Sequence, residues 1–370
     1  PACHFCLCRR MTDFEHYIAE TLSGGSPAWS DDWPADEFVR TCQVHGAGAL
    51  IADLVQRHSI DLPKQVCDPL FDTLEAHKVY ELLHADQLVQ LLARLESDNI
   101  EHLLLKGTAL AYSVYSHPWL RSRGDTDLII DDEDRRAVQA VMAEFNFEQK
   151  VSSSVELLQY QQAYTKSDRF GYTFMMDVHW RVSNLQVFAL AFPWEELNQN
   201  SVDLPCLHGS ARTLDNVYQL LHLCLHRVGH LNTLDYGDEL TARGDRLLWL
   251  YDIFLVCQRL SEADWKRFGE ISRQKQLCAV MLDTLEAADE FFSVNIPEAD
   301  RKVLAGHGST EVSHRLLTGS RFQGLLTDFL ALPGWGQRAQ LLREHLLPPG
   351  SYILMKYGKQ SGWWLPLLYI

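Results

Sequence analysis

The spacing of apolar residues predicts that both ends of the chain are helical. Over residues 12–79, apolar residues recur every three or four positions, as at Phe14, Tyr17 and Ile18, which is the period of one helix face. Helical periodicity returns after Pro205. The segments that show it there are 215–229, 245–260, 262–292 and much of 310–346.

The centre of the chain, residues 99–182, has a different pattern. Short runs that are apolar or rich in β-branched and aromatic residues predict strands at NIEHLLLKG, TDLIIDD, FEQKV and GYTFMMDVHWRV. Between the first two runs, GTALAYSVYS contains helix-forming Ala and Leu. After the second run, DEDRRAVQAVMAEF is an amphipathic helix with acids in its first turn. This order predicts a small mixed sheet that packs against helices.

We therefore predict an α+β fold in three parts. A helical N-terminal region would cover residues 1–79, with residues 1–10 as a disordered leader ahead of Met11. The mixed α/β core would cover residues 80–205, and a helical C-terminal domain would cover residues 206–370.

The composition narrows the classes of function. The chain has 370 residues and a formal net charge of −16, which argues against unspecific binding to duplex nucleic acid or to an anionic membrane. No apolar run is long enough to cross a bilayer. The nine cysteines are mostly scattered singly, which is typical of reduced thiols. We therefore predict a cytoplasmic protein.

The N-terminal cluster of Cys3, His4, Cys6 and Cys8 has two interpretations. It offers the ligand types of half a zinc site, but no second ligand pair with zinc-finger spacing follows it. We therefore favour the interpretation as a leader segment.

Two aspartates stand one residue apart at the head of the second predicted strand. Because side chains alternate between the faces of a strand, Asp125 and Asp127 point to the same side. Such close like charges raise each other's pKa unless a cation lies between them, and Mg²⁺ commonly binds carboxylates together with substrate phosphates. Asp177, inside the apolar run FMMDVHW, would complete a metal site, and His179 lies on the same face as Asp177.

A second polar feature lies where the first predicted strand turns into a helix, at Lys106, Gly107 and Thr108. Glycine permits close approach of the backbone, and a helix N-terminus offers free N–H groups to a phosphate. Lys106, Arg121 and Arg123 add positive charge. The sequence contains no Walker P-loop, so this would be a phosphate site of another kind.

Taken together, three motifs resemble those of the DNA polymerase β-like nucleotidyltransferase superfamily. They are KGTALA (106–111), RSRGDTDLII (121–130) and DVHWRV (177–182). More narrowly, the chain is similar to a family of bacterial proteins known only as nucleotidyltransferases. In that family Lys-Gly, an Arg four residues before Asp-x-Asp, and Asp-x-His-Trp follow one another in this order. RLLWLYDIFLV and LPPGSYILMKYG extend the resemblance weakly, so that it covers residues 80–360.

The resemblance implies a transferase that moves a nucleoside monophosphate from an NTP, such as ATP, to a hydroxyl group and releases pyrophosphate. Asp125, Asp127 and Asp177 would be the catalytic acids and would hold two Mg²⁺ ions, with Mn²⁺ as the alternative. Asp177 would also lower the pKa of the acceptor hydroxyl or take its proton.

The resemblance also implies which residues bind the nucleotide. Gly107 and Thr108 would lie under the phosphates, and Lys106 and Arg121 would contribute positive charge. The superfamily's usual Gly-Ser or Gly-Gly pair is Gly107-Thr108 here, which keeps a hydroxyl but limits the close approach of a phosphate.

His222, His226 and His230 follow at intervals of four residues on one face of a predicted helix. Imidazoles at this spacing can bind zinc, but the helix lacks the glutamate of H-E-x-x-H. We therefore favour histidines that are hydrogen-bonded in a cleft or core. A third interpretation places His226, together with His179, in the acceptor pocket.

Asp252 interrupts the apolar helix RLLWLYDIFLV. The favoured role is an ion pair with a basic residue such as Arg246, and the alternative is a position that faces the active cleft.

Two alternatives to an active enzyme of this kind remain open at the level of the sequence. One is an inactive nucleotide-binding or regulatory protein on the same scaffold, and the other is a toxin that modifies tRNA. The net negative charge favours a small molecule or a protein as acceptor over nucleic acid. The base preference, the acceptor and the oligomeric state are not defined by the sequence.

Overall fold

The protein is described by a computed structural model that covers residues 12–150, 157–232, 245–318, 321–350, 353–354, 357, 359 and 361–368. The predicted leader and its cysteine cluster lie outside these residues.

The helices and strands follow the predicted order. The N-terminal part contains α1 (Asp13–Leu22), α2 (Ala35–His45), α3 (Gly48–Gln56) and α4 (Lys64–Ser97). The central part contains β1 (His102–Leu105), α5 (Lys106–Ser113), β2 (Thr126–Ile130), α6 (Arg135–Glu144), β3 (Glu148–Gln149), β4 (Gln161–Ser167), β5 (Thr173–His179), α7 (Gln186–Ala189), α8 (Trp194–Gln199), β6 (Ser201–Asp203) and β7 (Arg212–Leu214). The C-terminal part contains α9 (Asn216–Asn232), α10 (Leu247–Cys257), α11 (Glu262–Gln274), α12 (Cys278–Phe292), α13 (Glu298–Gly308), α14 (His314–Thr318), α15 (Arg321–Ala331), α16 (Trp335–Leu346) and α17 (Leu365–Leu368).

The strands form one mixed sheet in the order β3-β4-β5-β2-β1-β7-β6. β1 pairs with β2 in the antiparallel direction, whereas β2 pairs with β5 in the parallel direction. The predicted α+β fold with a mixed sheet is confirmed. The sequence did not indicate β4, β6 or β7, because β4 is half-buried without clean alternation and the other two are only three residues long.

The alternation of side chains along the central strands assigns them to two hydrophobic clusters. Leu104 and Leu128 pack with the second half of α4 and with α6 on one face of the sheet. Leu103 and Leu105 pack on the other face, in a cluster that includes α1 to α3 and α9 to α12. Asp127 lies directly opposite Leu105 in the β1–β2 ladder, so its side chain points to this second face. The acids therefore lie on the face that the N- and C-terminal helices cover.

The division into three parts stays a prediction. The helix α4 runs without interruption through the expected boundary at residue 79, and β7 joins the sheet after the expected boundary at residue 205. The continuity of α4 follows from the burial of its apolar residues, because α4 packs along α2 and α3 at one end and under the sheet at the other.

No helix among the described residues is both long enough and apolar enough to span a bilayer. The six cysteines in the described part of the chain are free thiols, as the sequence predicts. The cytoplasmic location stays a prediction.

Asp328→Asn is expected to stabilise the protein at neutral and alkaline pH. Asp328 is buried beside α7, where its carboxylate accepts a hydrogen bond from the Val187 backbone N–H at 3.3 Å. Burial raises the pKa of Asp328 from 3.8 to about 7. Because the folded state disfavours the carboxylate, the wild-type protein loses stability as the pH rises through this window, whereas asparagine keeps the acceptor without the charge.

The gain in stability should be close to zero at the acidic end of that window and on the order of 4 kcal/mol above it. Thermal unfolding of both proteins at a series of pH values measures it. A difference between the two proteins that does not change with pH contradicts the assignment.

Candidate active site

Two aspartates lie at paired positions of β2 and β5, and a third comes just before β2. Asp127 and Asp177 are direct partners in the parallel ladder, and Asp125 comes just before β2. Partner side chains of adjacent strands point to the same face. Among the described residues, the ligand atoms of Asp127, Asp177 and His179 all lie within 4.8 Å of one another. The structure thus brings Asp127 and Asp177 together, whereas Asp125 is not part of this group, and the three-acid metal site stays a prediction.

Asp127 is buried and has two partners at one oxygen. Its Oδ1 atom accepts a hydrogen bond from Lys106 Nζ at 2.6 Å and lies 2.8 Å from His179 Nε2. Burial alone would raise the pKa of Asp127, but Lys106 and His179 hold it well below its usual value. Asp127 is therefore ionised at neutral pH.

The other two acids lack such strong partners. Burial, followed by repulsion from Asp127, raises the pKa of Asp125 to about 6, and burial also raises the pKa of Asp177. Asp177 Oδ2 accepts a hydrogen bond from Gln161 Nε2 at 3.1 Å, whereas its Oδ1 is buried and has no hydrogen-bond partner among the described residues. A buried carboxylate oxygen without a hydrogen-bond partner, close to two further acids, is a suitable ligand for a divalent cation such as Mg²⁺, which prefers oxygen ligands.

The turn from β1 into α5 packs tightly against the segment before β2. Lys106 has a φ of 48°, a left-handed conformation that only glycine adopts without strain. A Cβ atom on Gly107 would lie 3.3 Å from Arg123 Cβ and 3.6 Å from Arg121 Nη1. Glycine therefore allows the two segments to approach, and Lys106 at the turn reaches Asp127.

The hydroxyl of Thr108 belongs to a buried network behind β2. It lies 3.1 Å from Thr126 Oγ1, which in turn lies 2.7 Å from His84 Nε2. All three side chains are buried. Because Thr126 holds the hydroxyl, the backbone N–H of Thr108 is the group that remains for a phosphate, and Thr108 as a nucleotide-binding residue stays a prediction.

Both arginines before β2 form buried ion pairs. Arg121 Nη2 lies 2.6 Å from Asp252 Oδ2 of α10, and Arg123 pairs with Glu81 of α4. The ion pair predicted for Asp252 is present, but the suggested partner Arg246 is wrong. Its Nε donates instead to a backbone carbonyl in α2, since Arg246 lies at the N-terminal end of α10. Arg121 as a nucleotide-binding residue stays a prediction.

Two histidines of α9, His222 and His226, lie close enough to the acid centre, the cluster of Asp125, Asp127 and Asp177 with Lys106, for its charges to act on them. Burial, and then the charge of Lys106, lowers the pKa of His222 to about 3, and the same causes lower the pKa of His226. The rings of His226 and His230 lie 4.4 Å apart, and both pack against Trp249. In the described part of the chain these histidines form no group of three metal ligands. The favoured interpretation, histidines that are hydrogen-bonded in a cleft or core, stays a prediction. Their role in an acceptor pocket stays a prediction.

Sequence reasoning missed the residues of α4 that support the site. His77, Glu81 and His84 follow at the helical period between the buried residues Leu74 and Leu88. Polar residues on an otherwise apolar helix face need polar partners, so this spacing is a signal that could have been used.

One of the comparisons with known proteins identifies a family. The sequence model of a family described as uncharacterised nucleotidyltransferase matches residues 31–293, well over half of the chain. The match begins before residue 80, where the resemblance was expected to begin. It ends before LPPGSYILMKYG, to which the resemblance was expected to extend. A comparison with curated proteins found no match.

A solved structure is also similar. It is described as the crystal structure of an antigenic nucleotidyltransferase-like protein from Paracoccidioides brasiliensis, and it aligns over 56% of this chain and 93% of that chain, at 14% identity and a TM-score of 0.30. A superposition at that score carries no argument about the site. The match to the family, together with the Asp-x-Asp and Asp-x-His motifs inside it, decides the assignment. The chain belongs to the family of uncharacterised nucleotidyltransferases, which makes it a transferase.

Proposed function

We propose that the protein transfers a nucleoside monophosphate from an NTP to a hydroxyl group of an acceptor, in a reaction that depends on divalent cations. The observation that carries this proposal is the position of Asp127 and Asp177 as direct partners on β2 and β5. Their repulsion, together with that of Asp125, has no use in a purely structural core.

The metal-binding residues would be Asp125, Asp127 and Asp177, and the unpartnered Asp177 Oδ1 supports this choice. Two Mg²⁺ ions are the proposed cofactors. His179 Nε2 lies close enough to be a further ligand, and a nitrogen ligand is one reason to test Mn²⁺ as well. The bound cations would neutralise charge on the triphosphate and stabilise the entering and leaving oxygens.

The triphosphate would bind at the turn from β1 into α5. Gly107 allows the backbone to approach a phosphate, and the first N–H groups of α5 have no partner within the helix. Lys106 Nζ is held at the acid centre by Asp127, so it is placed to contact phosphate oxygens once cations bind Asp127.

The acceptor would bind between Asp177 and the α9 helix. Its hydroxyl oxygen would attack the α-phosphorus, the bond to the β-phosphate would break, and pyrophosphate would leave. Asp177 would take the hydroxyl proton, a role that its raised pKa supports because the group can hold a proton more readily than a free aspartate. His179 and His226 would line this pocket.

The proposed acceptor is a small molecule or a protein side chain rather than nucleic acid. The net charge of −16 supports this preference, because the phosphate backbone of a nucleic acid requires basic contacts.

Label transfer tests the proposal. The protein is incubated with each α-³²P-labelled NTP, with Mg²⁺ or Mn²⁺, and with a fractionated cell extract, and labelled products are separated by size and by protease sensitivity. We expect labelled product and released pyrophosphate only when a divalent cation is present. Cation-dependent binding of an NTP without any transfer would instead support the inactive nucleotide-binding alternative, and label on tRNA would support the toxin.

A further inference from the structure

Asp252 is an acid inside an apolar helix. Its carboxylate is fully buried in α10, and the Tyr115 hydroxyl donates to Oδ1 at 2.6 Å. Arg121 Nε lies 2.9 Å from Oδ1 and 3.0 Å from Oδ2, and Nη2 lies 2.6 Å from Oδ2. Asp252 thus holds the guanidinium along one edge.

Stability alone does not explain such a pair. The desolvation of two buried charges commonly offsets their attraction, and well-packed apolar side chains are often as stable in the same place. Leucine, isoleucine and phenylalanine fill the neighbouring positions of α10, so an apolar residue would also suit position 252. The pair holds the segment just before Asp125, which leads into β2, against the C-terminal helix α10.

The other edge of the guanidinium faces the turn into α5. Arg121 Nη1 has no contact with Asp252; it donates to the Ser122 backbone carbonyl and lies beside Gly107. The Cβ position of Gly107 is 3.6 Å from this nitrogen. Arg121 also acts on the acid centre, since its charge lowers the pKa of Asp125 against the larger effect of burial. One edge of Arg121 is therefore fixed, and the other is presented to the proposed phosphate site.

We propose that Asp252 is a positioning residue that aims Arg121 at the triphosphate bound over Gly107. The inference rests on the proposed function, and it adds that a C-terminal helix determines the affinity for the triphosphate. The contact would be made to phosphate oxygens, so it would contribute to the binding of an NTP and not to the binding of the corresponding nucleoside.

Asp252→Asn tests the inference, because asparagine keeps the shape and one acceptor but not the charge that fixes the guanidinium. Binding of the four NTPs with Mg²⁺, and of the nucleoside that corresponds to the NTP that binds best, is measured by calorimetry. We expect about tenfold weaker binding of the NTP, the usual size for a lost hydrogen bond to a charged group, and unchanged binding of the nucleoside.

Asp245→Asn is the matched control. Asp245 holds the buried Arg227 along one edge in the same way, with Nε at 2.6 Å and Nη2 at 2.7 Å. Arg227 belongs to a different ion-pair cluster, with Asp283 as its other partner. We expect this variant to lose stability but to bind the NTP as the wild-type protein does.

Arg121→Lys keeps the inference testable if Asp252→Asn does not fold. Lysine retains a charge for Asp252 but has a single ammonium, which cannot bind the carboxylate and reach a phosphate at once. The same NTP-specific loss is expected, and Asp252→Asn in this background should add no further loss if the two residues act as one unit.

The outcomes separate the proposed role of Asp252 from the proposed function of the protein. Folded variants at positions 121 and 252 that bind the NTP as tightly as the wild-type protein overturn the role of Asp252 and leave the proposed function intact. Equal losses for NTP and nucleoside also overturn it, since they indicate a merely structural role. A wild-type protein that binds no NTP overturns both.

Discussion

Asp127→Asn is expected to reduce nucleotidyl transfer by about a thousandfold or more, which corresponds to at least about 4 kcal/mol of lost transition-state stabilisation. Asp127 is the most buried acid of the centre and the one that contacts both Lys106 and His179. Asparagine offers a weaker oxygen ligand and removes the charge that holds Lys106. Transfer of label from an α-³²P-labelled NTP measures the activity, and calorimetry with Mn²⁺ measures binding of the cation independently of turnover.

Asp203→Asn is the control for this variant. Asp203 is an exposed aspartate on β6, at the far edge of the same sheet, so its substitution should change neither activity nor cation binding. Far-UV circular dichroism confirms that Asp127→Asn is folded. A folded Asp127→Asn protein that retains more than a tenth of the wild-type activity argues against a metal-dependent centre at β2 and β5.

Glu81→Gln is expected to destabilise the protein by on the order of 3 kcal/mol, because it leaves the buried Arg123 without a counter-charge. The side chains of Glu81 and Arg123 are only 5% and 4% exposed, and the Tyr112 hydroxyl donates to the same carboxylate. Glutamine satisfies the shape of the site but not the charge. Thermal unfolding should show a midpoint several degrees lower than that of the wild-type protein.

Two further variants test whether the loss of stability comes from the unpaired buried charge. Glu75→Gln breaks an ion pair on the same helix in which the glutamate side chain is 62% exposed, and it should change the stability by no more than about 0.5 kcal/mol. Glu81→Met combined with Arg123→Met removes both charges and should recover much of the loss. If Glu81→Gln unfolds no earlier than Glu75→Gln, the buried pair does not hold the segment before β2.

The strands at the centre of the site could be predicted because their signals are local. NIEHLLL and TDLII are short apolar runs, and each became a strand whose residues are buried on both faces. The alternation of a strand predicted Asp125 and Asp127 on one side; β2 begins at Thr126, so only Asp127 lies in the strand and the shared side stays a prediction. The turn at Lys106 and Gly107 was visible as the end of one apolar run and the start of helix-forming residues.

The partners of the site could not be predicted in the same way. Arg121 and Asp252 are 131 residues apart in the chain, and Glu81 and Arg123 are 42 residues apart. The sequence offered Arg246 as the partner of Asp252 because it is near in the chain, but α10 carries Asp252 against the segment before β2. The contact between the Thr108 and Thr126 hydroxyls could not be predicted either, because it depends on how α5 packs its first turn onto β2.

By itself, the sequence determined the α+β class, the strand that carries Asp127 and the helix N-terminus beside it, since these depend on the side-chain periods of strands and helices. Only the tertiary structure decided that Asp177 lies directly opposite Asp127, that Lys106 and His179 share one oxygen of Asp127, and that α4 and α10 each fix an arginine before β2. The register of two strands and the packing of distant helices set these contacts. The register and the packing depend on the burial of apolar surface over the whole chain, which a local sequence pattern does not predict.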